Sequence, residues 1–245
     1  MQRGNRYLGI FCLCLAGLWF GNAQAVVINE IRIDQTGADS SEYFELAGNA
    51  GESLANLSYL VIGDNGSDSH GIVESVTHLS GHNLGADGFF LAAEGSFALG
   101  GDVDLVTSLN FENSDNVTHL LVSGFSGSLG DDLDTNNDGS LDVMPWLGIL
   151  DSVALVETYG SGDGIYSPHQ VGDGNGPVPA HVFRSPDGNG AWQIGTLDIA
   201  EDTAGRANVT TAVPEPPSLV LLALGVLVFG AQRLKWQPLR GAAAA

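Results

Sequence analysis

The eleven residues Asp132-Leu133-Asp134-Thr135-Asn136-Asn137-Asp138-Gly139-Ser140-Leu141-Asp142 set side-chain oxygens on alternate positions ahead of a glycine. Asp134, Asn136, Asp138 and Gly139 fall on positions one, three, five and six of a calcium-binding loop, where alternating oxygens converge because glycine permits the sharp turn. Ser140 offers its carbonyl at position seven, and Asp142 stands at position nine. Position twelve is Pro145 where a bidentate glutamate belongs, so the loop is incomplete, and a partner carboxylate could come from Asp131, Asp132, Asp151 or elsewhere. Two readings follow: a Ca2+ ion that neutralises clustered carboxylates and orders a loop, or an Asx-rich turn that holds no ion.

Other chemistry is thinner. Glu30, Glu42 and Glu45 could supply the two carboxyl groups, about 5 to 10 Å apart, that a glycosidase needs. His78 and His82 are four residues apart, but Leu79-Ser80-Gly81 between them supplies no glutamate and breaks a helix, which argues against zinc. No G-x-S-x-G turn and no phosphate-binding glycine loop is present, so the chain reads as noncatalytic. A secreted hydrolase of the nuclease kind would need chemistry inside the stretch from Gly124 to Trp146. A carbohydrate-binding module would instead use Trp146, Tyr159, Tyr166 and Trp192 as a stacking platform.

The two ends of the chain direct traffic. Arg3 and Arg6 precede an apolar stretch from Tyr7 to Phe20, and Ala23-Gln24-Ala25 is a small-x-small cleavage site. Residues 1–25 therefore read as a secretory signal peptide. Both cysteines, Cys12 and Cys14, lie within it, so a chain beginning at Val26 has no thiol. At the other end, Val213-Pro214-Glu215-Pro216 leads into 13 apolar residues from Leu219 to Ala231, followed by Arg233 and Lys235. That run is shorter than the roughly 20 residues of an ordinary membrane-spanning helix. The cations after it would stay on the cytoplasmic side and leave the rest of the chain outside.

Between these ends lies one domain, residues 26–208, followed by a linker, residues 209–218, and the apolar segment with its basic end, residues 219–235. From Val26 to Val213, 28 carboxylates face Arg32, Arg184 and Arg206, a formal charge of −25 with no lysine. Such a surface repels phosphates, which excludes nucleic acid as a partner. It suits cations and a hydrated, polyanionic surrounding.

Short apolar and β-branched runs separated by Gly, Asn, Asp and Ser predict an all-β, antiparallel sandwich. Strands are expected at 26–33, 42–46, 57–62, 72–78, 89–93, 117–122, 152–156, 180–184 and 191–194. In the first, strict alternation puts Val27, Asn29, Ile31 and Ile33 on one face, with Ile28, Glu30 and Arg32 on the other. In the second, Phe44 and Leu46 share a face. Gly160 to Pro179 reads as one long surface loop.

Two resemblances attach to these residues. The Val213-Pro214-Glu215-Pro216 start, the leucine-rich run and the basic terminus resemble the PEP-CTERM sorting signal of exopolysaccharide-producing Gram-negative bacteria. That resemblance implies an exosortase-type membrane protease as partner, transient anchoring in the inner membrane through a C-terminal helix, and an end point in the envelope or exopolysaccharide matrix. The series Val27-Ile28-Asn29-Glu30-Ile31, Glu42-Tyr43-Phe44-Glu45-Leu46 and Leu54 to Ile62, with Phe89-Phe90-Leu91-Ala92, Asp104-Leu105-Val106, Asp151 to Leu155, Arg184 to Gly188 and Thr203 to Asn208, is similar to the lamin-tail-like domain. It implies an immunoglobulin-like β-sandwich, with Tyr59 at a core position usually held by tryptophan and with Glu30 and Glu45 hydrogen-bonded inside the fold. Together the readings give a noncatalytic exported surface or matrix protein, an adhesion or binding module stabilised by calcium.

Overall fold

The computed structural model describes residues 25–208 except 65, 67, 68 and 161–163. The signal-peptide and sorting-segment expectations lie outside the described residues. The strands are β1 (Val27–Arg32), β2 (Tyr43–Ala47), β3 (Leu57–Asp64), β4 (His70–His78), β5 (Phe89–Ala93), β6 (Leu105–Val106), β7 (Val117–Ser123), β8 (Gly148–Leu155), β9 (Gln170–Val171), β10 (His181–Ser185) and β11 (Ala191–Ile194). Among the described residues the helical structure is one 3-10 turn, Ile199–Glu201, capped by the Asp198 side chain.

Two sheets form, in the orders β11-β10-β1-β2-β5-β6 and β4-β3-β7-β8-β9. All nine expected strands are present. The sheets are mixed, not purely antiparallel, because β6 joins β5 and β9 joins β8 in parallel. Each of these is a two-residue edge piece in a connection, too short to leave a period-two signature. The Gly160–Pro179 connection thus carries β9, and β8 begins four residues before the expected Ser152.

One core lies between the sheets, built from Ile28, Ile31, Phe44, Leu46 and Phe90 on one side and Tyr59, Val61, Leu121 and Val153 on the other. The expected facing of β1 is corrected here. A bulge between Ile28 and Glu30 leaves Asn29 with no residue opposite it in the β2 register and turns Ile28 into the core beside Ile31 and Ile33. A bulge inserts one residue and so shifts the alternation by one. Phe44 of β2 and Tyr59 of β3 stack across the sheets, centroids 3.7 Å apart with planes 2° apart.

Both sheets are also covered on their outer faces, which is why β2, β3 and β7 read as nearly continuous apolar runs. Outside the second sheet, Leu60, Ile62, Leu120 and Val122 pack under Leu133, Phe125, Leu141 and Trp146 of the β7–β8 connection. Outside the first, Tyr43, Leu91 and Ala93 pack under Ala204 of the C-terminal segment and under Phe97, Leu99 and Val103 of the β5–β6 connection.

Removing the Phe44 ring should leave a cavity at the sheet interface. Phe44→Ala is expected to lower unfolding stability by about 3–5 kcal/mol, read as a shift of the urea midpoint with an unchanged m-value. A loss below about 1 kcal/mol would show that this stack does not carry the core.

Candidate functional site

The β7–β8 connection holds the sequence-predicted metal loop. Its seat is tight: Leu133 N donates to Gly71 O at 2.9 Å, and a Cβ on Gly71, at φ +77°, would meet Asp134 Cβ at 2.7 Å. Asp134 is fully buried. Its Oδ1 accepts from the Asp138 amide at 3.1 Å, and its Oδ2 from the Gly139 amide at 2.9 Å and the Tyr166 hydroxyl at 2.8 Å. Asn136 Oδ1 also accepts from the Asp138 amide, and Asp138 Oδ1 from the Ser140 amide at 2.9 Å. Asn136 Nδ2 lies 3.2 Å from Asp138 Oδ2.

The fold therefore brings Asp134, Asn136 and Asp138 together in one loop, with Gly139 and Asn137 at positive φ as the turn requires. It turns two other expected ligands to protein partners. Asp132 accepts from the Asp134 amide at 3.2 Å, and Asp142 from the Thr135 hydroxyl at 2.7 Å. Asp151 is elsewhere, bridging to Arg184. Asp134, Asn136, Asp138 and the Ser140 carbonyl are the groups that could hold a metal in this loop. Burial first, then the Asp134 carboxylate, raises the Tyr166 phenol above its ordinary range, so it stays a donor to that carboxylate.

A second cluster is denser. On the outer face of the first sheet, Glu30, His181 and Asp202 are buried, with ligand-type atoms within 4.8 Å of one another. Most of its polar atoms have protein partners. Glu30 accepts from the Tyr43 hydroxyl, from the Thr203 amide at 3.1 Å and hydroxyl at 2.8 Å, and lies 2.8 Å from His181 Nε2. Asp202 takes the fork of Arg32, whose guanidinium also donates to the Asp34 carbonyl at 2.7 Å and the Thr196 carbonyl at 3.1 Å. These contacts make a clamp that fastens residues 196–208 to the sheet and engage most of the carboxylate oxygens, while the buried His181 Nδ1, 3.6 Å from Asp202 Oδ1, is left without a hydrogen bond. Glu45 accepts from Asn29 and from the Gly205 amide, both at 2.7 Å. The sequence put Glu30 and Arg32 on one face of the first strand and singled out Glu45, but it did not give His181 or Asp202 as their partners. The missing signal was the strap itself, which crosses the sheet from more than 150 residues away.

Two of the four expected sugar-stacking aromatics, Trp146 and Tyr166, pack on the outer core of the second sheet. Trp192 packs on the main core with the Arg184 guanidinium 4.4 Å over its ring. Tyr159 is half exposed and lies against Gly174.

The described domain is thus a two-sheet all-β module whose polar clusters are tied into its own loops and strap. The PEP-CTERM protein-sorting motif matches residues 212–234, which begin just after it and include Val213, Pro214, Glu215 and Pro216. No curated protein and no solved structure matches the chain. The motif implies export, membrane anchoring through the C-terminal region and processing by exosortase, a membrane protein.

Buried acids set a pH dependence. Burial pushes Glu42 up to about 8; the Phe111 amide opposes this and the Asp39 and Glu94 charges add to it. Burial, then the charges of Glu112, Asp115 and Asp64, pushes Glu74 up to about 8. The folded chain keeps protons that the unfolded chain releases near 4.5, so these groups cost stability as pH rises from about 4.5 to about 8. Glu30 has the opposite sign. Burial raises it, but the hydrogen bond and charge of His181 with Tyr43 and Thr203 outweigh burial and hold it below 4.5. Its contribution is present above its unfolded value and is lost in stronger acid. Thermal unfolding should therefore occur at higher temperature at mildly acid pH than at pH 8, and Glu42→Gln with Glu74→Gln should flatten that difference. A flat profile in the parent chain would contradict the burial of these acids.

Proposed function

We propose that the chain is a noncatalytic, exported envelope or matrix protein of a Gram-negative bacterium: a lamin-tail-like, immunoglobulin-like β-sandwich carried to the membrane by its C-terminal signal. The observation that carries the reading is the sorting motif at residues 212–234, placed directly after a domain whose last described residue, Asn208, is hydrogen-bonded to the body. The acidic character of the domain, −25 between Val26 and Val213, suits a hydrated exopolysaccharide surrounding that shares divalent ions. In favour of a noncatalytic role, Glu30 and Glu45 are buried and held by strap and strand partners, where no substrate reaches them. The lamin-tail reading is supported by Glu30, Glu45 and Tyr59 sitting where that resemblance puts them, two in a buried polar network and one in the core. The exposed loops of such a module would serve adhesion.

Calcium belongs to the same proposal as a structural ion in the loop from Asp134 to Ser140. What supports it is the convergence of Asp134, Asn136 and Asp138 around amides already aligned as the turn demands. Millimolar Ca2+ is expected to raise the unfolding temperature with a dissociation constant of about 10⁻⁴ to 10⁻³ M. Asp138→Asn, which keeps the acceptor for Ser140, should weaken the effect severalfold. An unfolding temperature indifferent to Ca2+ and to chelator would leave the loop as an Asx-rich turn.

Sorting is tested in the host by fractionation and by the mass of the mature C-terminus, with and without the segment after Val213. Release with a C-terminus near the proline motif is expected, and truncation should abolish the membrane-bound precursor. An intact tail retained in the membrane would refute processing.

A further inference from the structure

Phe125, Leu133, Leu141 and Trp146 of the β7–β8 connection turn inward, whereas Leu129, Val143, Met144 and Leu147, with Ile149 and Leu150 at the start of β8, are exposed. Leu147 is 84% exposed and Met144 61%, with Ile149 at 46% and Leu150 at 37%. Their placement is built. The Leu147 amide donates to the Ser123 carbonyl at 2.8 Å, and a Cβ on Gly124, at φ +63°, would meet Leu147 Cγ at 2.6 Å, so only glycine leaves that side chain its position. A register shift between Leu121 and Val122 pairs Asp151 and Ile149 across β7 and leaves Leu150 as the extra residue.

This patch lies at the end of the sandwich from which the chain both enters and leaves. Asp151, next to Leu150, accepts from the Ile28 amide at 2.9 Å near the start of β1 and pairs with Arg184 at the end of β10. Asn208 donates to the Arg184 carbonyl at 2.8 Å and to Asp187 at 3.0 Å. Ten residues, 209–218, then separate Asn208 from Leu219. Even fully extended at about 3.6 Å per residue, the eleven steps from Asn208 to Leu219 reach no farther than about 40 Å. An exposed apolar patch marks a contact surface, and here it faces the side from which the apolar tail departs.

We propose that this end of the domain rests on the bilayer, with Met144, Leu147, Ile149 and Leu150 in the headgroup–acyl boundary while the tail is anchored. The proposal rests on the anchoring reading given above. A membrane fits better than a second copy, because four side chains offer roughly a few hundred Å² whereas a stable protein interface buries about 1,200–2,000 Å². A patch this small suffices when a short tether raises its effective concentration at the surface to about millimolar. The occupant is an uncharged lipid face. The domain from Val26 to Val213 has no lysine, and Arg184 beside the patch is engaged with Asp151 and Trp192, so anionic headgroups find no partner there. Seated this way, the domain holds the start of the sorting segment close to the bilayer, where a membrane protease acts.

The test uses the exported chain, purified with its tail intact and reconstituted in phosphatidylcholine vesicles. Its cysteines are confined to the leader, so Leu147→Cys and, in the β1–β2 connection at the opposite end, exposed Ala38→Cys each give a single labelling site. With a fluorophore on each and a lipid-borne quencher, severalfold stronger quenching at 147 than at 38 is expected, and Met144→Asp should reduce that excess. Vesicle-bound protein quenched equally at both sites would overturn the proposal and leave anchoring standing. Failure to float with vesicles would overturn anchoring and the proposal together. Protection of position 147 without vesicles, in a particle of dimer mass, would overturn it in favour of self-association. A quenching excess untouched by Met144→Asp would overturn the assignment of this patch.

Discussion

The rest of this structure depends on a charge buried in the middle of a sheet. Arg32 lies on β1, between β10 and β2, with no solvent exposure. An unpaired guanidinium there would cost several kcal/mol in desolvation alone. The chain answers by bringing Asp202 from its far end to take the guanidinium fork, with Asp34 and Thr196 carbonyls filling other donors. Glu30 and His181 join through Tyr43 and Thr203, so one network closes over the outer face of the first sheet. The strap is therefore integral to the domain. Its position fixes where the sorting segment begins.

The second sheet uses a different device on its outer face. There the long β7–β8 connection lays Phe125, Leu133, Leu141 and Trp146 over Leu60, Ile62, Leu120 and Val122. Asp134 and Tyr166 pin the connection from within. Its ligand-like geometry follows from this task, because a buried carboxylate must be supplied with donors, and the amides of Asp138 and Gly139 supply them. The loop's shape is held by these hydrogen bonds.

Arginine usage shows the economy of so acidic a domain. Arg32 closes the strap, Arg206 donates back to the Asp202 carbonyl at 2.7 Å, and Arg184 ties the sheets together at Asp151 while covering Trp192. Each basic group is tied to the C-terminal end of the fold or to the seam between sheets. The remaining polar surface is left mostly to carboxylates, amides and hydroxyls, beside the exposed apolar side chains at the start of β8.

How much of this was legible in the residues divides along physical lines. Period-two runs and turn glycines are local signals, and they placed nine strands and the all-β class. The Asp134–Gly139 spacing likewise marked a turn, in which Asp134 and Asn136 share the Asp138 amide. Val213 to Pro216, with the apolar and basic run behind them, identified the sorting segment because such a signal is read as sequence. What stayed hidden depends on contacts between distant segments. The bulge at Asn29, the edge pieces β6 and β9 and the Arg32–Asp202 clamp each depend on which segments pack together. Alternation says which residues can share a face, but only tertiary packing decides which face becomes the core, which is covered by a strap, and which is left open.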